Sequence, residues 1–115
     1  MQPRELHALL DILIASRLAL SYVSGKSQTE FLVDIQLQDS VIRRIEIIGK
    51  ASRRLSEETC LSLPQIPWMP MIGMRNRMIH EYDRVDLAVV WDVVQNELPF
   101  LIVELETIVP PEDGE

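Results

Sequence analysis

The chemistry in this chain is concentrated in residues 75–82, which read Arg75-Asn76-Arg77-Met78-Ile79-His80-Glu81-Tyr82. An arginine is a permanently charged fork that holds a phosphate through two parallel hydrogen bonds. A histidine titrates near neutrality and can give or take a proton. Asn76 lies four residues before His80, so one continuous helix sets both on the same face within reach of a hydrogen bond. Arg75 lies five before His80, about 140° away at 100° per residue, and a straight helix does not bring those two to one point. Either the helix ends near His80 or a second copy of the chain completes the site. Tyr82 and His80, two apart in an extended stretch, point the same way. Each residue also has a plainer reading. His80 can be a helix C-terminal cap favoured by the dipole, Tyr82 an amphipathic residue at the core edge, and Arg77 a surface charge.

Helices must position this segment. Leu6, Leu9, Leu10, Leu13, Ile14 and Leu18 recur at helical spacing, which predicts a first helix from Pro3 to about Ser24, with Gly25 as its cap. A second helix is expected to begin at Thr29 and run unbroken to Leu55, roughly 26 residues or about 40 Å. Gly49 inside it suggests a close approach of another helix. Ser56-Glu57-Glu58 reads as the cap and acidic first turn of a short third helix. Pro64, Pro67 and Pro70 forbid a continuous helix and impose an extended connection. A fourth helix is expected from near Pro70 to about His80, and a fifth from Asp86, its cap, with a kink or break at Pro99. No stretch alternates long enough for a convincing strand. The fold class is therefore all-α, a helical bundle of four to five helices. Trp68, Trp91 and four methionines between Met69 and Met78 read as packing residues.

Composition bounds the function. The chain has 115 residues, 47% apolar and 25% charged, which suits one globular domain, expected over 1–109 with a flexible acidic tail at 110–115. One cysteine, Cys60, fits a reducing compartment and hence the cytoplasm, and it reads as structural. The two histidines, His7 and His80, are too few with it for a zinc cluster, so no metal and no cofactor is expected. The glycines form no phosphate-cradling loop. Charged residues interrupt every apolar run, so no membrane span is expected, and the acidic start does not read as a secretory signal. Net charge is -7, but it is unevenly spread. Residues 1–42 carry -2, residues 43–84 carry +3, and residues 85–115 hold eight acids and no base. A local anion site on an acidic protein is compatible with that map, as are ordinary solvated helix faces.

Arg75-x4-His80-x-Tyr82 resembles the Arg-x4-His-x-Tyr motif of HepT-like toxins in the HEPN superfamily. Further landmarks extend the resemblance over most of the chain: Tyr22 with Phe31, Asp39, Ile48-Gly49-x-Ala51, Ile66-Pro67-Trp68, Val85-Asp86 with Trp91, and Leu98-Pro99. Lys50 departs from it, since relatives often carry Glu after the glycine, and this alters the charge beside the groove. The resemblance implies a HEPN-like bundle that forms a homodimer with both motifs facing one cleft. It implies a metal-independent ribonuclease acting as the toxin of a type VII-like toxin–antitoxin system. The implied partner is an MNT-type nucleotidyltransferase antitoxin that adds AMP to the tyrosine matching Tyr82.

The residues suit that chemistry. RNA carries its own nucleophile, the 2′-hydroxyl. A base takes its proton and an acid protonates the leaving 5′-oxygen, so two groups active near pH 7 suffice. One chain offers His80, and a two-fold dimer offers two copies. Arg75 is placed to stabilise charge on the phosphorane oxygens, and Asn76 to orient His80 or the phosphate. Tyr82 can donate to the phosphate, and AMP there would block and repel RNA. Catalytic roles thus fall to Arg75, Asn76 and His80, and modification to Tyr82, with tRNA or mRNA as substrate. The alternative is a non-catalytic helical dimer that docks or positions substrate for a partner nucleotidyltransferase. A DNA-binding repressor fits less well, because no helix-turn-helix spacing is present and the last helix is strongly acidic.

Overall fold

The computed structural model describes residues 2–80 and 84–109, and for Arg75, Ile79 and His80 it fixes the backbone path. The expected tail 110–115 lies outside the described residues. The helices are α1 (Pro3–Tyr22), α2 (Gln28–Val33), α3 (Ile35–Ser52), α4 (Glu57–Ser62), α5 (Trp68–Ile72) and α6 (Met74–Met78). After a two-residue antiparallel pairing of β1 (Ile79–His80) with β2 (Arg84–Val85) come α7 (Leu87–Asp92), a π-helical turn (Val93–Glu97) and α8 (Leu98–Glu106). The architecture is all-α, as the periodicity predicts, but the helical segments outnumber the expected four to five.

The core lies between α1, α3 and the α7–α8 arm. α1 contributes Leu9, Ile12 and Leu13, α3 contributes Val41, Ile45 and Ile48, and the arm contributes Val90, Val94, Leu98, Leu101 and Leu105. Two buried hydroxyls, Ser16 and Ser52, donate to the carbonyls of Ile12 and Ile48 one turn back, each at 2.7 Å, so they cost the core no unpaired donor. Exposed ion pairs tie the long helices at their rims: Arg17 to Glu106 and Arg54 to Asp11.

Three expected helices are broken, each for a local reason. Ser27, not Thr29, caps α2: its Oγ accepts from the Glu30 N–H at 3.1 Å, and the Glu30 carboxylate accepts from the Ser27 N–H at 2.8 Å. This capping box holds the Glu30 carboxyl below its usual range. The long second helix then stops at Asp34, whose carboxylate accepts from the Leu37 N–H and starts α3 afresh. The fourth helix begins at Trp68, breaks at Gly73, and ends at Met78 instead of near His80. The fifth is interrupted as an α-helix just before Pro99. Pro99 has no N–H for the Gln95 carbonyl and its ring crowds that group. The turn ahead of it widens, and the Leu98 N–H reaches back five residues to Val93.

Gly49 is buried on α3 under α5. A Cβ built there meets only the Met71 carbonyl oxygen, at 3.9 Å, which is ordinary van der Waals contact. Helix approach is thus close but does not require glycine. Gly49→Ala is expected to raise stability by about 0.5–1 kcal/mol, read as a higher urea midpoint at unchanged m. A lower midpoint would mean that α5 sits tighter on α3 than this contact indicates.

Glu5 joins the start of α1 to the start of α4. It is 5% exposed, and its carboxylate accepts from the Ser56 N–H at 2.8 Å and from the Gln2 N–H at 3.3 Å. The Ser56 backbone donor, followed by the Thr59 hydroxyl, pulls its pKa from 4.5 to about 2. A depressed folded-state value means the stabilisation is complete above pH 4.5 and is lost as pH falls through about 2. In thermal melts, Glu5→Gln should therefore lie below the parent at pH 7 and converge on it toward pH 2. A gap that stays constant with pH would remove the charge from the explanation. Cys60, by contrast, has its thiol pushed up by burial and by the nearby Glu5 and Glu57 carboxylates, the environment of a structural cysteine and not of a nucleophile.

Candidate active site

The candidate residues sit where the chain changes from helix to extended backbone. Trp68 begins α5, is 8% exposed, and donates its indole N–H to the Leu63 carbonyl at 3.0 Å, fixing the proline-bounded connection beneath the site. The Arg77 N–H donates to the Gly73 carbonyl and so closes the single turn of α6. Met74 and Met78 bury into the core on either side of that turn. These anchors leave Asn76 exposed to solvent and set the Arg75 backbone on the same short helix.

His80 is not on that helix. The Met78 carbonyl accepts from the Asp86 N–H, and Ile79 and His80 pair with Val85 and Arg84. The four-residue helical relation expected between Asn76 and His80 is therefore not formed. Tertiary pairing with 84–86 takes over the backbone groups that a continuing helix would have used. The helix does end near His80, two residues earlier, at Met78. Arg75 and Asn76 thus share one turn of helix, and His80 follows on a strand. Tyr82 lies outside the described residues. Asp86, next along, accepts from the Ala88 and Val89 N–H groups and starts α7.

Two arginines flank the motif differently. Arg77 forks onto both oxygens of Glu97 in the π-helical turn, at 2.8 and 3.1 Å, so its charge is spent joining α6 to the α7–α8 arm. This matches its reading as a surface charge. Arg84 is exposed and stands in register opposite His80 across the two-stranded pairing. The sequence reading passed over Arg84, because only the pairing brings it beside the motif. The signal available was the short charged span from His80 to Arg84, bounded by apolar Ile79 and Val85. Trp91 packs against buried Phe31 with ring centroids 5.4 Å apart, which makes it a packing residue, as read.

The sequence model of a family described as ribonuclease HepT-like matches residues 12–108, a span that includes all of these positions. A Methanocaldococcus jannaschii protein named as an inferred RNase is 36% identical over 107 residues, covering 93% of this chain and 88% of that protein. A Thermococcus cleftensis protein named as a probable ribonuclease HepT is 39% identical over 79 residues, 69% of this chain and 72% of its own length. A Caldanaerobacter subterraneus subsp. tengcongensis protein, also named as an inferred RNase, is 33% identical over 90 residues, 78% of this chain and 80% of its own. No solved structure matches the chain. Among the described residues, no helix is long and apolar enough to cross a membrane.

Proposed function

Since the chain belongs to the ribonuclease HepT-like family of HEPN proteins, we propose that it is the ribonuclease toxin of a type VII-like toxin–antitoxin pair, acting in the cytoplasm without a metal. The observation that carries this reading is the family match across residues 12–108, which encloses Arg75-x4-His80-x-Tyr82.

The reaction is an internal phosphoryl transfer. An imidazole takes the proton of the 2′-hydroxyl, and the freed oxygen forms a bond to the adjacent phosphorus. The bond from phosphorus to the 5′-oxygen breaks, and a second imidazole supplies that oxygen with its proton. The products are a 2′,3′-cyclic phosphate and a 5′-hydroxyl. His80 from each of two chains provides the base and the acid. Arg75 steadies the charge that gathers on the phosphorane, and Asn76, exposed on the same turn, orients the phosphate.

Control is assigned to Tyr82. A partner nucleotidyltransferase joins the Tyr82 oxygen to the α-phosphate of ATP, with pyrophosphate leaving, and the added AMP blocks the cleft and repels RNA. The test is incubation of purified protein with total RNA and tRNA in EDTA, with end-group analysis and an intact mass spectrum of the same sample. Fragments with 2′,3′-cyclic phosphate ends are expected. An unmodified dimer that cuts no RNA would overturn the reading, as would cleavage of a matched DNA strand, which lacks the 2′-hydroxyl.

A further inference from the structure

A cluster of positive charge outside the motif lies on α3 and the two residues that follow it. Residues 43–54 contain Arg43, Arg44, Lys50, Arg53 and Arg54 against the single acid Glu46. At 100° per residue, Arg43, Lys50 and Arg53 fall within an arc of about 80°, which also contains Glu46, so the arc carries three bases against one acid. All three are exposed. Gly49, which faces the Met71 carbonyl of α5, lies about 40° beyond Arg53 on the helix circumference, so the arc borders the α5–α6 side of α3. The Arg53 guanidinium reaches across that border to within 3.5 Å of the Ile72 carbonyl, three residues before Arg75.

Among the described residues, Arg43 and Lys50 take part in no ion pair, whereas Arg54 is held by Asp11 and Arg77 by Glu97. The chain that follows the motif carries the opposite charge, since residues 85–115 hold eight acids and no base. Helix-dipole stabilisation accounts for cations in the last turn of α3, such as Lys50. It does not account for Arg43, which lies nine residues before the end of α3 at Ser52, beyond the range of that effect.

We propose that Arg43, Lys50 and Arg53 form a strip that holds the phosphate backbone of single-stranded RNA along α3 and delivers it to the motif where α6 passes into β1. The strip spans about 15 Å along the helix, room for several phosphates at about 3.4 Å of axis per phosphate on a duplex strand. It touches backbone, not bases, so it sets substrate affinity with no part in bond cleavage and little sequence preference. This rests on the ribonuclease reading and adds to it a substrate-binding surface outside the motif.

The test compares the parent with Arg43→Gln, Lys50→Gln, Arg53→Gln and the triple variant in cleavage of a fluorescent RNA. Anisotropy of the uncut RNA is followed in a His80→Ala background from 50 to 200 mM salt. The triple variant is expected to lose at least about tenfold in kcat/KM, all of it in KM. Its log–log salt slope should be shallower by about 2, at about 0.7 per lost contact to a single strand. Its Tm should match the parent's, and Lys26→Gln, the same charge change in the α1–α2 turn, should alter neither KM nor slope. A parent that cleaves RNA while the triple variant keeps its KM and slope overturns the strip and leaves the ribonuclease reading standing. The same holds if the substitutions weaken only binding of an acidic protein. A parent that neither binds nor cuts RNA removes both. If the triple variant melts early, Arg43→Gln alone decides, through its own KM and slope.

Discussion

His80→Ala is expected to lower the rate of RNA cleavage by about a thousandfold or more while leaving the fold intact. The size follows from the roles assigned to the imidazole. A positioned general acid or base contributes about 10²–10⁴-fold, and in a homodimer one substitution removes both. The fold should survive because the bonds that place His80 are made by the main chain, in the pairing with Arg84 and the neighbouring bond from Asp86 to Met78. Alanine keeps those bonds. Arg75→Ala should cost about 10²–10³-fold through lost charge stabilisation. Arg75→Lys should recover only part of that, because an ammonium is not a planar fork. Asn76→Ala should cost less than either, since it orients and transfers no proton. Single-turnover cleavage of one defined RNA, alongside the circular dichroism melt of each variant, measures all four. Undiminished cleavage by a well-folded His80→Ala protein would remove His80 from the chemistry and move the function toward docking of a nucleotidyltransferase.

The letters of the candidate site were legible in the sequence, but the path of the chain through them was not. Arg75, His80 and Tyr82 stand out by type and spacing. The helix that carries Arg75 ends at Met78 because residues 84–86 compete for its backbone groups, and no helical pattern reports those partners. The same limit explains Arg84. The broken helices divide differently. Ser27-x-x-Glu30 is a capping box that the sequence displays openly, and reading the start at Thr29 overlooked it. At Asp34 the apolar pattern runs on, through Phe31, Leu32, Ile35 and Leu37, and only the side chain's choice of the Leu37 N–H breaks the helix. Pro99 was legible as a disturbance. Its resolution by the five-residue π-helical turn Val93–Glu97 was not; that turn keeps Val94, Leu98, Leu101 and Leu105 buried together. Periodicity thus conveys which faces are apolar, and capping and long-range pairing decide where each helix stops.

Phe31→Ala is the structural counterpart, with the largest expected loss of stability, about 3–5 kcal/mol. Phe31 is wholly buried although its helix, α2, is one of the shortest elements. Its ring meets the tilted ring of Trp91 on α7, 39° from parallel. Its carbonyl also accepts from the Gln38 side chain at 2.9 Å, clamping the α2–α3 junction. Removing the ring leaves a cavity between α2 and α7 that a capped helix end cannot readily collapse to fill. For a domain whose whole stability is of order 5–15 kcal/mol, that is a large share. The consequence reaches the candidate site along the chain: α7 follows β2 directly, and β2 holds the strand that carries His80. Urea unfolding followed by tryptophan fluorescence reads the loss, with Trp91 reporting the vacated contact. Phe31→Leu, which refills most of the volume, should cost clearly less. Cleavage by the folded fraction of Phe31→Ala at 15 °C should fall less than for Arg75→Ala, since no reacting group is removed. Equal stability of Phe31→Ala and the parent would show that α2 is not held against α7 by this ring, and the account of how the His80 strand is supported would have to rest on the backbone pairing alone.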